Sequence, residues 1–317
     1  MAVFVSASDE SDGGHHRSTF WHGGWIAPEM DWFAYFAPAW QERVLDAKPK
    51  LPFLHMTDIR DPNWCNEHGL SWDEAQTKMD TAVILIDQMG SLYPITINSN
   101  GGAFLDAHGK KKVMESVSGK KAARFLVDHH SFNVYVYAVL NYIHAKHPDT
   151  EKVDFIVERK EGVFEKLKQF YDTLGDSIGK IGHPELVKYL GELTPAVKKC
   201  VPVQAADMLC WHASRADLGL LKGRDAMRAA TIFNRKGTVI PLPDKVHFEL
   251  ALAFREKLNQ LEKLNDKEPR VREVRPHHAQ ANLGFPQRDK SRSRHRKSGK
   301  GKKREPKASA SAARFKR

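Results

Sequence analysis

The chain has 317 residues, 41% of them hydrophobic and seven of them Trp, enough to bury a sizeable core in one elaborated α/β domain with extensions. Its formal charge of +11 is unevenly placed: from Arg288 to Arg317, 14 Lys and Arg face two acids, a net +12, which leaves the rest of the chain at −1. No apolar run approaches the roughly 18 residues of a membrane span, "MAVFVSASDE" has no basic segment before an apolar one, and Cys65, Cys200 and Cys210 match no zinc spacing, so a cytoplasmic protein with free thiols is expected.

In chain order, residues 3–6 and "TFWHGGWIA" (19–27) predict two strands of a hairpin. "DWFAYFAPAWQERVLDA" reads as a helix broken near Pro38. "SWDEAQTKMDTAVILIDQMG" opens with Ser71 and Glu74 at capping-box spacing and sets Met79, Val83, Ile86 and Met89 on one face, a helix ending near Gly90. "LYPITINSNGG" predicts a short strand and a turn, and "FNVYVYAVLNYIHA" a helix with Phe132, Val136, Val139, Leu140 and Ile143 at helical spacing. "KVDFIVERK" is a strand whose apolar part ends at Glu158, and "VFEKLKQFYDTLG" an amphipathic helix through Val163, Leu167, Phe170 and Leu174. A helix, a strand and a helix in succession indicate a parallel crossover. "VPVQAADMLCWHASRADLG" reads as a strand end and then a helix carrying Asp207, and "HFELALAFREKLNQLEKL" as one more amphipathic helix.

The acids raise the functional question. "VFVSASDESDGG" runs from apolar residues into Asp9, Glu10 and Asp12, a concentration of like charge that has a use only if further carboxylates converge on it. "DESDG", "FIVERK" and "VQAADMLCW" together resemble the family called domain of unknown function 3800, over roughly residues 3–215. Asp12 stands where that family usually has Gly, Glu158 where it more often has Asp, and "LHMTDIRD" where it tends to show a Glu-containing motif. The resemblance implies a ribonuclease H-like α/β fold, a mixed sheet flanked by helices. In that fold an acid ending the first strand, one ending the fourth and one on the final helix meet, and the equivalents here are Asp9, Glu158 and Asp207. Glu10, Asp12 and Asp58 are weaker candidates for the same site, with His55 beside Asp58 as an alternative fourth ligand.

Hard divalent cations such as Mg²⁺ or Mn²⁺ take oxygen ligands, and a site of several carboxylates becomes tolerable when they are present. The implied activity is a metal-dependent nuclease or a related nucleic-acid-processing protein that hydrolyses phosphodiester bonds. The alternative is a non-catalytic nucleic-acid-binding or adaptor protein that keeps the fold, its acids acting as caps.

Two motifs compete with this reading. "VDHHSF", with Asp128, His129 and His130, matches the triplet of a manganese phosphoesterase family, but its companion motifs are missing, and a polar helix entry explains it. His15, His16 and His22 read as turn or packing residues, and Lys160 as a solvated strand end. The tail "RDKSRSRHRKSGKGKKREPKASASAARFKR" predicts sequence-independent, salt-dependent binding to nucleic acid. The expected organisation is a ribonuclease H-like domain over 1–222, a helical extension over 223–268, and a linker with a disordered basic tail over 269–317.

Overall fold

The first strand, β1 (Ala2–Asp12), pairs antiparallel with β2 (Thr19–Pro28), and β2 in turn with β3 (Tyr93–Asn100), so the expected hairpin widens into a three-stranded meander. The computed structural model describes residues 2–12, 19–100, 120–159, 164–234 and 238–239, all within the compact unit Met1–Glu268. The hairpin turn, Val163, Lys160, the candidate helix at 247–264 and the basic tail lie outside the described residues. On the other side of β1, β4 (Thr150–Glu158) and then β5 (Leu190–Ala196) add in parallel, giving a mixed sheet of order β5-β4-β1-β2-β3. A two-residue strand, β6 (Thr238–Val239), extends the β3 edge.

Alternation along the strands separates two hydrophobic layers. Val5, Ala7, Trp25 and Ala27 face one layer, while Phe4, Ile26, Ile95, Val153, Phe155 and Val157 face the other. The second layer is covered by the long helix α4 (Lys120–Lys146), whose Phe132, Val136, Val139, Leu140 and Ile143 are all buried, as their spacing predicts. The first layer is covered by α7 (Val201–Asp217), α3 (Trp72–Gln88), α8 (Arg224–Phe233) and the helical segment after β2. The short helices α2 (Pro62–Glu67), α5 (Phe164–Tyr171) and α6 (Leu174–Lys180) lie in the connections. Among the described residues no helix is long and apolar enough to cross a membrane.

Local signals account for several elements. Ser71 and Glu74 form both arms of the capping box that starts α3. Its buried Lys78 donates to the carbonyls of Val44 and Ala47, at the end of the helical segment that follows β2. That segment does not break at Pro38. The α-helical turn α1 (Ala37–Trp40) begins beside the proline, and π-helical turns at Asp31–Phe36 and Gln41–Asp46 continue it on both sides. The wider π turn changes the bonding pattern where Pro38 has no N–H to give, and the chain stays helical.

Two further expectations are corrected. Residues 201–203 are the first turn of α7, with Pro202 in a position where its missing N–H costs nothing, and not a strand end. The strand lies earlier, as β5 in "LGELTPA", an edge strand whose Gly and Pro conceal it. The amphipathic segment after β4 is two helices, α5 and α6, interrupted at Asp172 and Thr173.

Candidate active site

Parallel register sets the site. Ser8 lies opposite Val157, so Asp9 and Glu158 emerge side by side at the next position, where both strands approach their ends. Two-residue alternation places Asp9 on the face of Val5 and Ala7, and Glu158 on the face of Ile156, which is the face that α7 covers. Asp207 projects from α7 onto the same spot. Three acids separated by 149 and 49 residues of sequence thus share one buried corner. Asp9 is 5% exposed and Asp207 8%.

Close approach of helix and sheet is built into the neighbouring strand. Gly23 pairs with Asp9 across the hairpin, and a Cβ there would come within 2.9 Å of Thr96 Cγ2 and 3.3 Å of Cys210 Sγ. At Gly24 a Cβ would overlap the carbonyl oxygen of Ala7. The Cys210 thiol donates to the carbonyls of Asp9 at 3.0 Å and Gly23 at 3.3 Å, tying α7 to both strands at the level of the acids. Trp25 Nε1 donates to the carbonyl of Ala205 at 2.9 Å, fixing the same helix one turn earlier.

A loop completes the corner. Gln204 Oε1 accepts from the backbone N–H of Leu54 at 2.9 Å and from Trp40 Nε1 at 3.1 Å, and Asp207 Oδ2 accepts from Met56 N–H at 2.6 Å. Between these anchors His55 turns inward, its Nε2 3.8 Å from Asp207 Oδ1. Its Nδ1 lies 3.1 Å from Asp58 Oδ2. Lys198, just beyond β5, places Nζ 3.4 Å from the same Asp58 oxygen.

The electrostatics follow from this crowding. Burial raises the Asp207 carboxyl well above the ordinary carboxylate range, the Asp9 charge adds to the rise, and a hydrogen bond between the two carboxyls adds further; the Met56 N–H opposes it. Each carboxyl thus makes ionising the other less favourable. Burial also raises Glu158, with Asp9 and Asp58 pushing the same way and Lys198 opposing. Burial lowers His55, and Lys198 lowers it further, while Asp58 and Asp9 act against both.

Of the sequence candidates, Asp9, Glu158 and Asp207 are brought together, and Asp58 and His55 join their rim. Glu10 pairs with His22 across the hairpin, and alternation turns it to the opposite face from Asp9. The Asp12 side chain, like those of Asp128 and His129, lies outside the described residues. Sequence reasoning misses Lys198 and Gln204; Lys198 becomes visible only once β5 is known to end beside Glu158. His22 is a packing residue, as expected: buried, bonded to Ser8 Oγ at 3.1 Å and set against Phe132 and Tyr135.

Donor chemistry suits a hard divalent cation: four carboxylates and one imidazole around one corner. Among the described residues, no group of three or more His, Cys, Asp or Glu side chains stands arranged to ligate an ion as it is. Compared with protein-family models, with curated proteins and with solved structures, the chain matches none.

Proposed function

We propose that the chain is a metal-dependent nuclease of the ribonuclease H-like type, related to the domain of unknown function 3800 family. The observation that carries this reading is the convergence of two buried carboxyls, Asp9 and Asp207, with Glu158 alongside. Packing like-charged groups out of water is unfavourable, and structural caps do not need it; a site built to hold a cation does. Asp9 lies in the last third of β1, Glu158 ends β4, and Asp207 sits on the helix after β5; this supports the resemblance, which expects its acids on the first strand, the fourth strand and a late helix.

In this reading Asp9 and Asp207 would hold Mg²⁺ or Mn²⁺, with Glu158 as the third carboxylate. A bound ion of this kind supplies activation of water and stabilisation of the leaving oxygen of a phosphodiester. Met56 N–H fixes the orientation of Asp207, and Gln204 fixes the loop that carries Met56. His55 and Lys198 supply proton-bearing groups at the rim. The Lys- and Arg-rich tail from Arg288 onward concentrates the protein on polyanions without reading sequence.

Calorimetric titration of Mn²⁺ into the full chain, wild type beside Asp207→Asn, tests the site, and cleavage of labelled DNA and RNA by the same two proteins tests the activity. Binding and cleavage confined to the wild type are expected. Equal cleavage by both would remove Asp207 from the chemistry, and nucleic-acid binding without cleavage or Mn²⁺ uptake would favour the adaptor.

A further inference from the structure

The face of α7 that carries Asp207 continues through Trp211, Ser214 and Arg215, at four, seven and eight residues further on. Ser214 Oγ lies 2.9 Å from Ser11 Oγ, so this part of the helix is joined to β1 two residues beyond Asp9. Trp211 is buried, and two guanidinium groups lie over its ring: Arg215, with Cζ 4.0 Å from the centroid, and Arg60, with Cζ at 4.5 Å.

The two arginines differ in how their charge is met. Arg60 Nη1 is 2.9 Å from both carboxylate oxygens of Asp225, which is also held by Arg228 Nη1 at 2.9 Å. Among the described residues no carboxylate pairs with Arg215, which is only partly exposed. Its burial and the nearby Arg60 charge both make holding that cation unfavourable, and the more distant Asp225 and Asp207 offset this only in part. A position in the last turn of α7 offers some return through the helix dipole, and stacking on Trp211 offers some more. Stacking, however, occupies the flat face of a guanidinium and leaves its in-plane N–H donors for an anion, the fork that matches phosphate.

We propose that Arg215 binds a backbone phosphate of a nucleic-acid strand whose reacting phosphate lies at Asp9 and Asp207. The identity of the strand rests on the nuclease reading above. Eight residues of helix separate Asp207 from Arg215 by about 12 Å along the axis, which a strand covers in about three to four nucleotides of axial rise. Trp211 acts as a positioning residue: its ring supports the guanidinium from one side.

The test is fluorescence anisotropy of a labelled single-stranded 12-nucleotide probe with the full chain, in EDTA so that nothing is cleaved, at several salt concentrations. Arg215→Ala is expected to bind about ten-fold more weakly at moderate salt, with a log–log salt slope shallower by about 0.7, one phosphate contact. Arg215→Lys keeps the charge and is expected to restore the slope but only part of the affinity. Melting curves accompany both variants, and where Arg215→Ala is destabilised the lysine variant decides. Unchanged affinity and slope in Arg215→Ala, or a slope in Arg215→Lys as low as in a folded Arg215→Ala, overturns the proposal. The two readings fail separately: a wild type that cleaves nothing while Arg215→Ala loses binding removes the nuclease and keeps the phosphate contact. Cleavage by the wild type with unchanged binding by Arg215→Ala does the reverse.

Discussion

The backbone N–H of Met56 donates to Asp207 Oδ2 at 2.6 Å, while the other oxygen of that carboxylate lies 3.8 Å from His55 Nε2. Asp207 is therefore held by a loop on one side and pressed against Asp9 on the other. Its raised pKa fixes the sign of a pH effect. The folded protein keeps a proton that the unfolded chain releases above its ordinary value of 3.8, so this stabilisation is complete below that pH and is lost as pH rises through the folded value. Asp207→Asn keeps an oxygen for Met56 and cannot ionise. In EDTA, its melting temperature is expected to vary less than that of wild type between pH 4 and 8, and to exceed it at pH 8 by several degrees, about 1–2 kcal/mol. Scanning calorimetry across that range checks this, and a variant less stable than wild type at pH 8 would show that the two carboxyls do not repel.

Glu158 leads to a prediction about the cation. Since its carboxyl is also raised by burial and by Asp9, a divalent ion competes with protons for it, and the effect of the ion grows with pH. Saturating Mn²⁺ is expected to raise the wild-type melting temperature more at pH 8 than at pH 6; a hundred-fold excess over Kd corresponds to about 2.7 kcal/mol of added stability in all. Glu158→Gln reduces that rise and its pH dependence. An equal rise in both proteins, followed by differential scanning fluorimetry, would exclude Glu158 from the ligand set.

Gly24 is a purely steric case. A Cβ there meets the carbonyl of Ala7, a backbone atom in the central strand, and the Tyr135 hydroxyl at 2.6 Å. Neither the strand nor α4 behind it can yield without breaking the Ser6 to Tyr135 hydrogen bond of 2.7 Å. Gly24→Ala is expected to cost about 3 kcal/mol or more, at the upper end of overpacking penalties. Urea unfolding measures it, and a loss below about 1 kcal/mol would mean that the β1–β2 pair is looser than described.

His22 is expected to remain neutral where an exposed histidine is charged. Burial lowers its pKa from 6.5 to about 3. Because the unfolded chain takes up the proton first, the contribution of this histidine to stability is lost as pH falls below 6.5 towards that value. Carbon and nitrogen chemical shifts of the ring at pH 5 distinguish the two states; a protonated ring at that pH would contradict its burial between Phe132 and Tyr135.

Legibility in the sequence followed the range of the determining interactions. The α3 cap, the α4 stripe and the hairpin are set by residues within a few positions of each other, and their patterns name them. β5 escapes because an edge strand needs neither continuous hydrophobicity nor a donor at every position, and "LGELTPA" has a glycine, a proline and an exposed Glu192. The convergence of Asp9, Glu158 and Asp207 comes through resemblance, since no local spacing relates them. Lys198 and Gln204 owe their places to the ends of neighbouring elements, and only the assembled sheet brings them to the acids. Pro38 misleads for another reason: an isolated proline marks a break in regular α-helix, whereas here a π turn takes it in.

Gln204 and Asp207 grip alternate amides of one short segment, Leu54 and Met56, from successive turns of α7. The intervening residue is therefore caught between two fixed pegs. A slide of that segment by one residue would release both grips together and offer the helix a side chain of opposite direction, so the register there behaves as a latch with one setting. Inserting or deleting a single residue between Leu51 and Ile59 should thus disturb the acid corner more than replacing any one side chain in the loop. The economy of this arrangement is that the same carboxylate proposed to hold the cation also keeps time for the loop that covers it.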